Sequence, residues 1–277
     1  MPRARARKSV GFCLSVPPNA SKELTVCNLY HVAPENNLDS YVRRHLGRLW
    51  MPEWKPPRPQ IGPFDTGMFL VSDGEGGLVG RTAQWGMIRA GQKERIEYKE
   101  RPPAKPGGKP RREPMLKNNA RFETVGTSPA FRDAWTHGRR CLIPALWLQE
   151  PNWESVKCVW WHLRRADGLP WMIAGIWSEW TDPGTGEIVP NFAMLTFNVN
   201  SHPLLNRLHR PEVDEETKRP LPLELQDKRG EAHIEPQDWM KWLTADVDEV
   251  RALLVPPPLE IFDYGDATAM DQLLAEV

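Results

Sequence analysis

The chain has 277 residues, of which 40% are apolar, so it can bury a sizeable core and is not an intrinsically disordered polymer. Lysine plus arginine and aspartate plus glutamate number 36 each, and this balance argues against a protein that coats nucleic acid through net charge alone. Thirteen tryptophans and 28 prolines favour short strands, many turns and aromatic surfaces over long helices.

The first residues, "MPRARARKSVGFCLSVPPNA", begin basic, but the apolar stretch "VGFCLSV" is too short for a secretory signal or a bilayer span. The expectation is a cytoplasmic protein with no membrane contact. Residues 1–26 read as a disordered or non-native extension, and residues 27–277 as a single domain. Val26 stands directly before Cys27; a GTG codon reads as valine internally and as methionine at initiation. "KEL" just upstream can be encoded by a purine-rich ribosome-binding sequence. Translation is therefore expected to start at position 26, leaving Cys27 at the N-terminus once the initiator is removed.

Residues 37–50, "NLDSYVRRHLGRLW", place Leu38, Val42, Leu46 and Leu49 near one helical face, with Asn37 or Asp39 as cap. After the proline-rich "MPEWKPPRPQIGP" come six strand candidates: "GMFLVS", "GLVGRTAQWGMI", "RRCLIPALWLQE", "VKCVWWHLRR", "LPWMIAGIWSEW" and "NFAMLTFNV". The basic, glycine- and proline-rich segment at about 91–118 reads as a mobile loop. "TSPAFRDAW" predicts a short helix, and "EPQDWMKWLTADVDEVRALL" one or two C-terminal helices. Together these elements predict an α+β fold of mixed, mainly antiparallel sheets, forming an open barrel or sandwich with peripheral helices.

Motif by motif, several enzyme classes lose support. The chain has no GxSxG elbow, no GxxxxGK[ST] loop, no GxGxxG and no HExxH. Four cysteines, at 13, 27, 141 and 158, form no CxxC pair, so neither structural zinc nor a disulfide framework is expected. Buried, inert thiols are the ordinary reading of Cys13, Cys141 and Cys158. No metal and no cofactor is predicted.

An N-terminal Cys27 would have a distinct chemistry. Its α-amine, with a reference pKa of about 7.7–8.0, can condense with an aldehyde, and its thiol, at about 8.5 unperturbed, can then close on the imine carbon. The product is a five-membered thiazolidine. Such a chain end is an aldehyde trap.

The pieces "CNLYHV", "QWGMI", "NARFETVGTSPAFRDAW", "GRRCLIP", "LQEP", "IAGIWSEW", "MLTFNVNSHPLLNRLHRP" and "DWMKWL" occur in an order that resembles the SRAP family. These are the SOS-response-associated peptidases, or abasic site processing proteins, and the similarity runs over about residues 27–243. The combination is specific, though no single piece is. The resemblance implies a cysteine that crosslinks to abasic sites in single-stranded DNA, and a thiol-dependent autopeptidase activity that exposes it.

Carried over by position, the family's catalytic cysteine falls on Cys27, its asparagine on Asn119, its glutamate on Glu150 and its histidine on His209, with His202 in "SHPLL" as a competitor. The adjacent phosphate-binding arginine falls on Arg121. Arg132, Arg139 and Arg210 are further candidate phosphate clamps, since a guanidinium fork suits phosphate. Trp85 and Gly86 read as an exposed turn on which an unstacked base could rest. Each of these residues also has an ordinary reading: a turn-capping Asn119, a strand-end Glu150, a satisfied polar histidine, a surface arginine.

The chain departs from the family in three places. Gln84 stands where arginine is common, "LWLQEP" replaces "GFYEW", and an acidic insertion, "EVDEETKRP", follows "HRP". The expected partner is single-stranded DNA bearing abasic sites, bound by a monomer. Two other functions stay open at this point: a noncovalent single-strand binder, and a thiol peptidase acting on other proteins.

Overall fold

The computed structural model describes residues 28–51, 58–103, 107–155 and 157–275. The expected extension, Cys13 and Cys27 lie outside the described residues. In chain order come β1 (Tyr30–Val32), helix α1 (Glu35–Leu46), β2 (Leu49–Trp50), β3 (Gln60–Ile61), β4 (Thr66–Ser72) and β5 (Leu78–Trp85). Then follow β6 (Tyr98–Arg101), β7 (Arg111–Pro114), β8 (Asn119–Arg121), α2 (Arg132–Thr136) and β9 (Arg140–Asn152). β10 (Val159–Arg165), β11 (Trp171–Thr181), β12 (Ile188–Asn198) and β13 (Arg229–Glu231) come next. The chain closes with α3 (Trp239–Thr244), α4 (Val247–Arg251), β14 (Phe262–Asp266) and α5 (Ala267–Ala275).

Five strands make a barrel in the order β11-β12-β5-β4-β9, and pairing of β9 with β11 closes the ring. Only the β12–β5 contact within it is parallel, with Phe192 opposite Trp85. The predicted α+β architecture is present, and closure leaves this ring without an unpaired edge. Phe69, Leu70, Leu142, Ile143, Phe192 and Met194 are fully buried within the core. Burying each such large apolar side chain stabilises the fold by about 1.5–3 kcal/mol. The strands crowd at Gly175, where a Cβ would lie 2.5 Å from Ile143 Cδ1 and 2.9 Å from the Ala193 carbonyl oxygen. Glycine is required there by space.

β9 is 13 residues long and serves two sheets. Its first half pairs with β11, from Arg140 opposite Ile176 to Ala145 opposite Trp171. Its second half leaves the barrel between β1, where Tyr30 faces Leu148, and β10, where Trp161 faces Glu150. The strand therefore carries Glu150 out of the barrel wall on a rigid extension.

All six predicted strands are present, and so are the helices at α1, α2, α3 and α4. α1 buries Leu38, Tyr41 and Val42, and ends where Gly47 turns left-handed and donates its N–H to the Arg43 carbonyl. Its start differs from expectation. It follows Pro34 with no side-chain cap, and Asp39 instead accepts the Arg43 Nε–H at 2.8 Å one turn further on. The expected loop at 91–118 is also more structured than its composition implied. It forms the β6–β7 hairpin, and the buried Lys117 ammonium donates to Gln92 Oε1 at 2.7 Å and Glu97 Oε2 at 2.6 Å. Among the described residues no helix is long and apolar enough to cross a membrane, and no group of three or more metal-ligating side chains comes together.

Candidate functional site

The outer end of β9 meets the segment that follows β12. Asn152 bridges to Leu208, and the His209 N–H donates to the Pro151 carbonyl at 2.7 Å. This docking brings His209 Nε2 to 3.1 Å from Glu150 Oε2, with both side chains 2% exposed. His209 has φ +62, a left-handed conformation that costs a non-glycine residue on the order of 1–3 kcal/mol. The buried ammonium of Lys228 spans this turn, donating to the Leu208 carbonyl at 2.6 Å and the His209 carbonyl at 2.7 Å.

By distance alone Glu150 and His209 could be an ion pair. The electrostatics of the histidine say otherwise. Burial first, then the nearby positive charges of Lys228 and Arg229, push the imidazole pKa down to about 3. At neutral pH His209 is uncharged, and a neutral ring nitrogen can either accept or donate one proton beside the carboxyl group.

Asn119 lies on β8, which runs parallel to β12 with Asn119 opposite Met194. Its neighbour Asn118 is buried; the Asn118 carbonyl accepts the Trp85 indole N–H at 3.0 Å, and its amide donates to Asn28 Oδ1 at 3.1 Å. On the other side the Leu29 carbonyl accepts the Gln149 N–H at 2.9 Å. The chain entering at Asn28 is thus held between the neighbour of Asn119 and the neighbour of Glu150. Cys27 precedes Asn28 in sequence and lies outside the described residues.

The predicted arginines do not form one cluster of free cations. Arg121, 49% exposed, pairs with Asp227 at 2.6 Å. Arg139 donates to Ser178 Oγ at 3.2 Å and lies 3.5 Å from Asp133. Arg132 is exposed on α2, and Arg210 is exposed with its guanidinium 5.4 Å from the Trp153 ring centre. A further arginine is not apparent from sequence. Arg229 is 3% exposed, grips Glu123 with two hydrogen bonds at 2.9 and 2.7 Å, and touches Asp227, which also holds Arg121. The same is true of Lys228. Both follow the acidic segment after His209, and nothing in the linear sequence ties them to His209.

Two aromatic and histidine readings resolve against the structure. Trp85 is fully buried and Gly86 is buried with it, so neither forms an exposed platform for a base. The indole packs edge-on against Tyr30 with ring centres 5.0 Å apart, a core position fixed by the inward face of β5. His202 holds the backbone around it. Its Nδ1 accepts the Leu204 and Leu205 N–H groups, and its Nε2 contacts the Pro257 carbonyl at 2.8 Å. Of the two histidines, His209 is the one beside Glu150.

β13 carries one more buried acid, Glu231. Burial pushes the Glu231 carboxyl up to about 7, against the lowering effect of its own backbone hydrogen bond and of Arg229.

The fold and site define a mixed five-stranded barrel that presents a buried glutamate–histidine contact at the end of its longest strand. The sequence pattern of the SOS response associated peptidase (SRAP) family matches residues 12–266, and the chain belongs to this family. Comparison with curated proteins finds no match. Among solved structures, a protein from Bordetella bronchiseptica has a TM-score of 0.66 at 24% identity, over 87% of this chain and 99% of its own. A protein from Bacteroides thetaiotaomicron has a TM-score of 0.55 at 20% identity, over 75% of this chain and 77% of its own. A phage-related protein from Bordetella bronchiseptica reaches 0.51 at 15% identity, over 87% and 94%. At these identities the likeness is one of fold.

Proposed function

We propose that this protein senses abasic sites in single-stranded DNA and becomes covalently joined to them through Cys27. The observation that carries this reading is the anchoring of Asn28 and Leu29 between Asn118 and Gln149, one residue from Asn119 and Glu150 respectively. Asn119 and Glu150 are two of the side chains on which this reading calls.

The chemistry runs in three steps. Glu150, with neutral His209 beside it, moves the proton that opens the deoxyribose hemiacetal to its aldehyde. The Cys27 α-amine adds to the aldehyde carbon and water leaves, giving an imine. The thiol sulfur then bonds to the same carbon while its proton passes to nitrogen, closing the thiazolidine. One water is released and no oxidant is consumed. Asn119 orients the amine or the sugar, and Arg121 meets a flanking phosphate. The free amine arises by initiation at position 26 with loss of the initiator, or by self-cleavage before Cys27, which is the autopeptidase activity we assign. The reaction is single-turnover.

Intact mass tests this directly, on the natively expressed protein alone and after incubation with a single-stranded oligonucleotide carrying one abasic site. The expected result is a chain beginning at Cys27 and a stable adduct that Cys27→Ala abolishes. A chain that retains residues before Cys27 and forms no adduct overturns the reading. Equal affinity of Cys27→Ala for abasic and intact strands, with no adduct in the wild type, would leave a noncovalent binder. Cleavage of a peptide library without reaction on DNA would leave a thiol peptidase.

A further inference from the structure

We infer that Lys228 is a positioning residue, whose buried ammonium clamps the left-handed turn that aims His209 at Glu150. The inference rests on the crosslinking reading, because it assigns Lys228 to the step that opens the sugar ring.

The argument begins with what holds the imidazole. Neither ring nitrogen of His209 has an aligned hydrogen-bond partner, despite the short approach to Glu150. Its direction is therefore set by its backbone, and that backbone sits in a conformation that only three described non-glycine residues adopt. Three hydrogen bonds hold the turn: the His209 N–H to Pro151, and the Leu208 and His209 carbonyls to Lys228 Nζ. Two of the three come from one side chain. A left-handed residue persists only where its surroundings over-determine it, and such residues concentrate at functional sites.

Lys228 is itself fixed. Its N–H donates to Asn200 Oδ1 at 2.9 Å, and its carbonyl accepts the Val199 N–H at 2.8 Å, so the lysine stands on the end of β12. It is 4% exposed, and both hydrogen-bond partners of its ammonium are carbonyls. A lysine in such a place carries a desolvation cost that a methionine or leucine would not. Packing alone does not account for it, whereas bridging two successive carbonyls of a strained turn does. The ammonium also keeps positive charge beside His209, which favours the uncharged imidazole.

The test compares wild type, Lys228→Met, Lys228→Gln and Lys228→Arg for the rate of adduct formation across pH and DNA concentration, with thermal melting as a check on folding. Displacing a positioned group by an ångström can cost on the order of 10²-fold. Lys228→Met is expected to slow adduct formation roughly 10- to 100-fold while leaving the half-saturating DNA concentration unchanged. It is also expected to move the acid limb of the pH profile upward, since His209 loses a positive neighbour. Lys228→Arg should restore most of the rate.

A folded Lys228→Met protein with wild-type rate and pH profile overturns the inference. If Lys228→Met does not fold, Lys228→Gln, which keeps one donor group, decides by the same criteria. Failure of both to fold overturns it in favour of a purely structural lysine. Absence of any adduct in the wild type is a different outcome: it defeats the crosslinking reading, and the assignment of Lys228 goes with it.

Discussion

The side-chain amide of Asn118 holds the side-chain carbonyl of Asn28 at 3.1 Å, so the residue next to Cys27 is tied to the strand that bears Asn119. Asn118→Ala removes this tether. The expected stability loss is about 1 kcal/mol, measured by urea denaturation. On the proposed crosslinking reading, the yield of abasic-site adduct should fall more than that loss explains, by roughly 5- to 10-fold, because Asn28 beside Cys27 loses this anchor. An unchanged yield would show that the tether is irrelevant to the reaction.

Glu150→Gln keeps the shape of the buried side chain but cannot pass a proton. General acid–base groups contribute about 10²–10⁴-fold, and a slowing of that size is expected in adduct formation on a cyclic abasic sugar. A substrate presented as an open aldehyde should be affected much less. Equal losses on both would place Glu150 in a different step.

The buried titrating groups make opposite contributions to stability. His209 has a folded pKa of about 3 against the ordinary 6.5, so protonation favours the unfolded chain. Its contribution is complete above pH 6.5 and is lost as pH falls from there toward 3. Glu231 has its folded pKa raised from 4.5 to about 7. Its contribution is complete below 4.5 and is lost as pH rises toward 7. Glu231→Gln should therefore stabilise the protein by about 1–3 kcal/mol at pH 8 and leave stability near pH 4.5 unchanged. Denaturant midpoints at the two pH values check this.

Trp85→Phe tests the corrected role of that residue. Loss of ring volume and of the hydrogen bond to the Asn118 carbonyl should cost about 1–2 kcal/mol. The folded variant should bind single-stranded DNA as the wild type does, in a fluorescence anisotropy titration. A large loss of affinity at unchanged stability would restore the tryptophan to the binding surface.

The strands were legible because tryptophan, valine and isoleucine runs are bounded by glycine, proline and aspartate turns. β1 was not, since three residues carry no period. β14 and α5 were missed because their residues, partly exposed and mixed in character, form an outer layer against β10. Trp85 was misread from the glycine after it: the pair looks like a turn, yet the indole belongs to the inward row of β5. Glu150 and His209 were legible only through the combination of motifs. Their 3.1 Å approach depends on a bridge between residues 152 and 208, which no local pattern announces.

The two-sheet strand β9 makes the site sensitive to chain length in an uneven way. Successive side chains on a strand point to opposite faces, so losing one residue between Arg140 and Glu150 would turn the carboxyl group away from His209. Within the barrel the register of this strand is that of its pairing with β11, which runs from Arg140 opposite Ile176 to Ala145 opposite Trp171. The β6–β7 hairpin and the segment after His209 lie outside that rigid run. A change of length in either would leave untouched the β9 register that sets the aim of the Glu150 carboxylate.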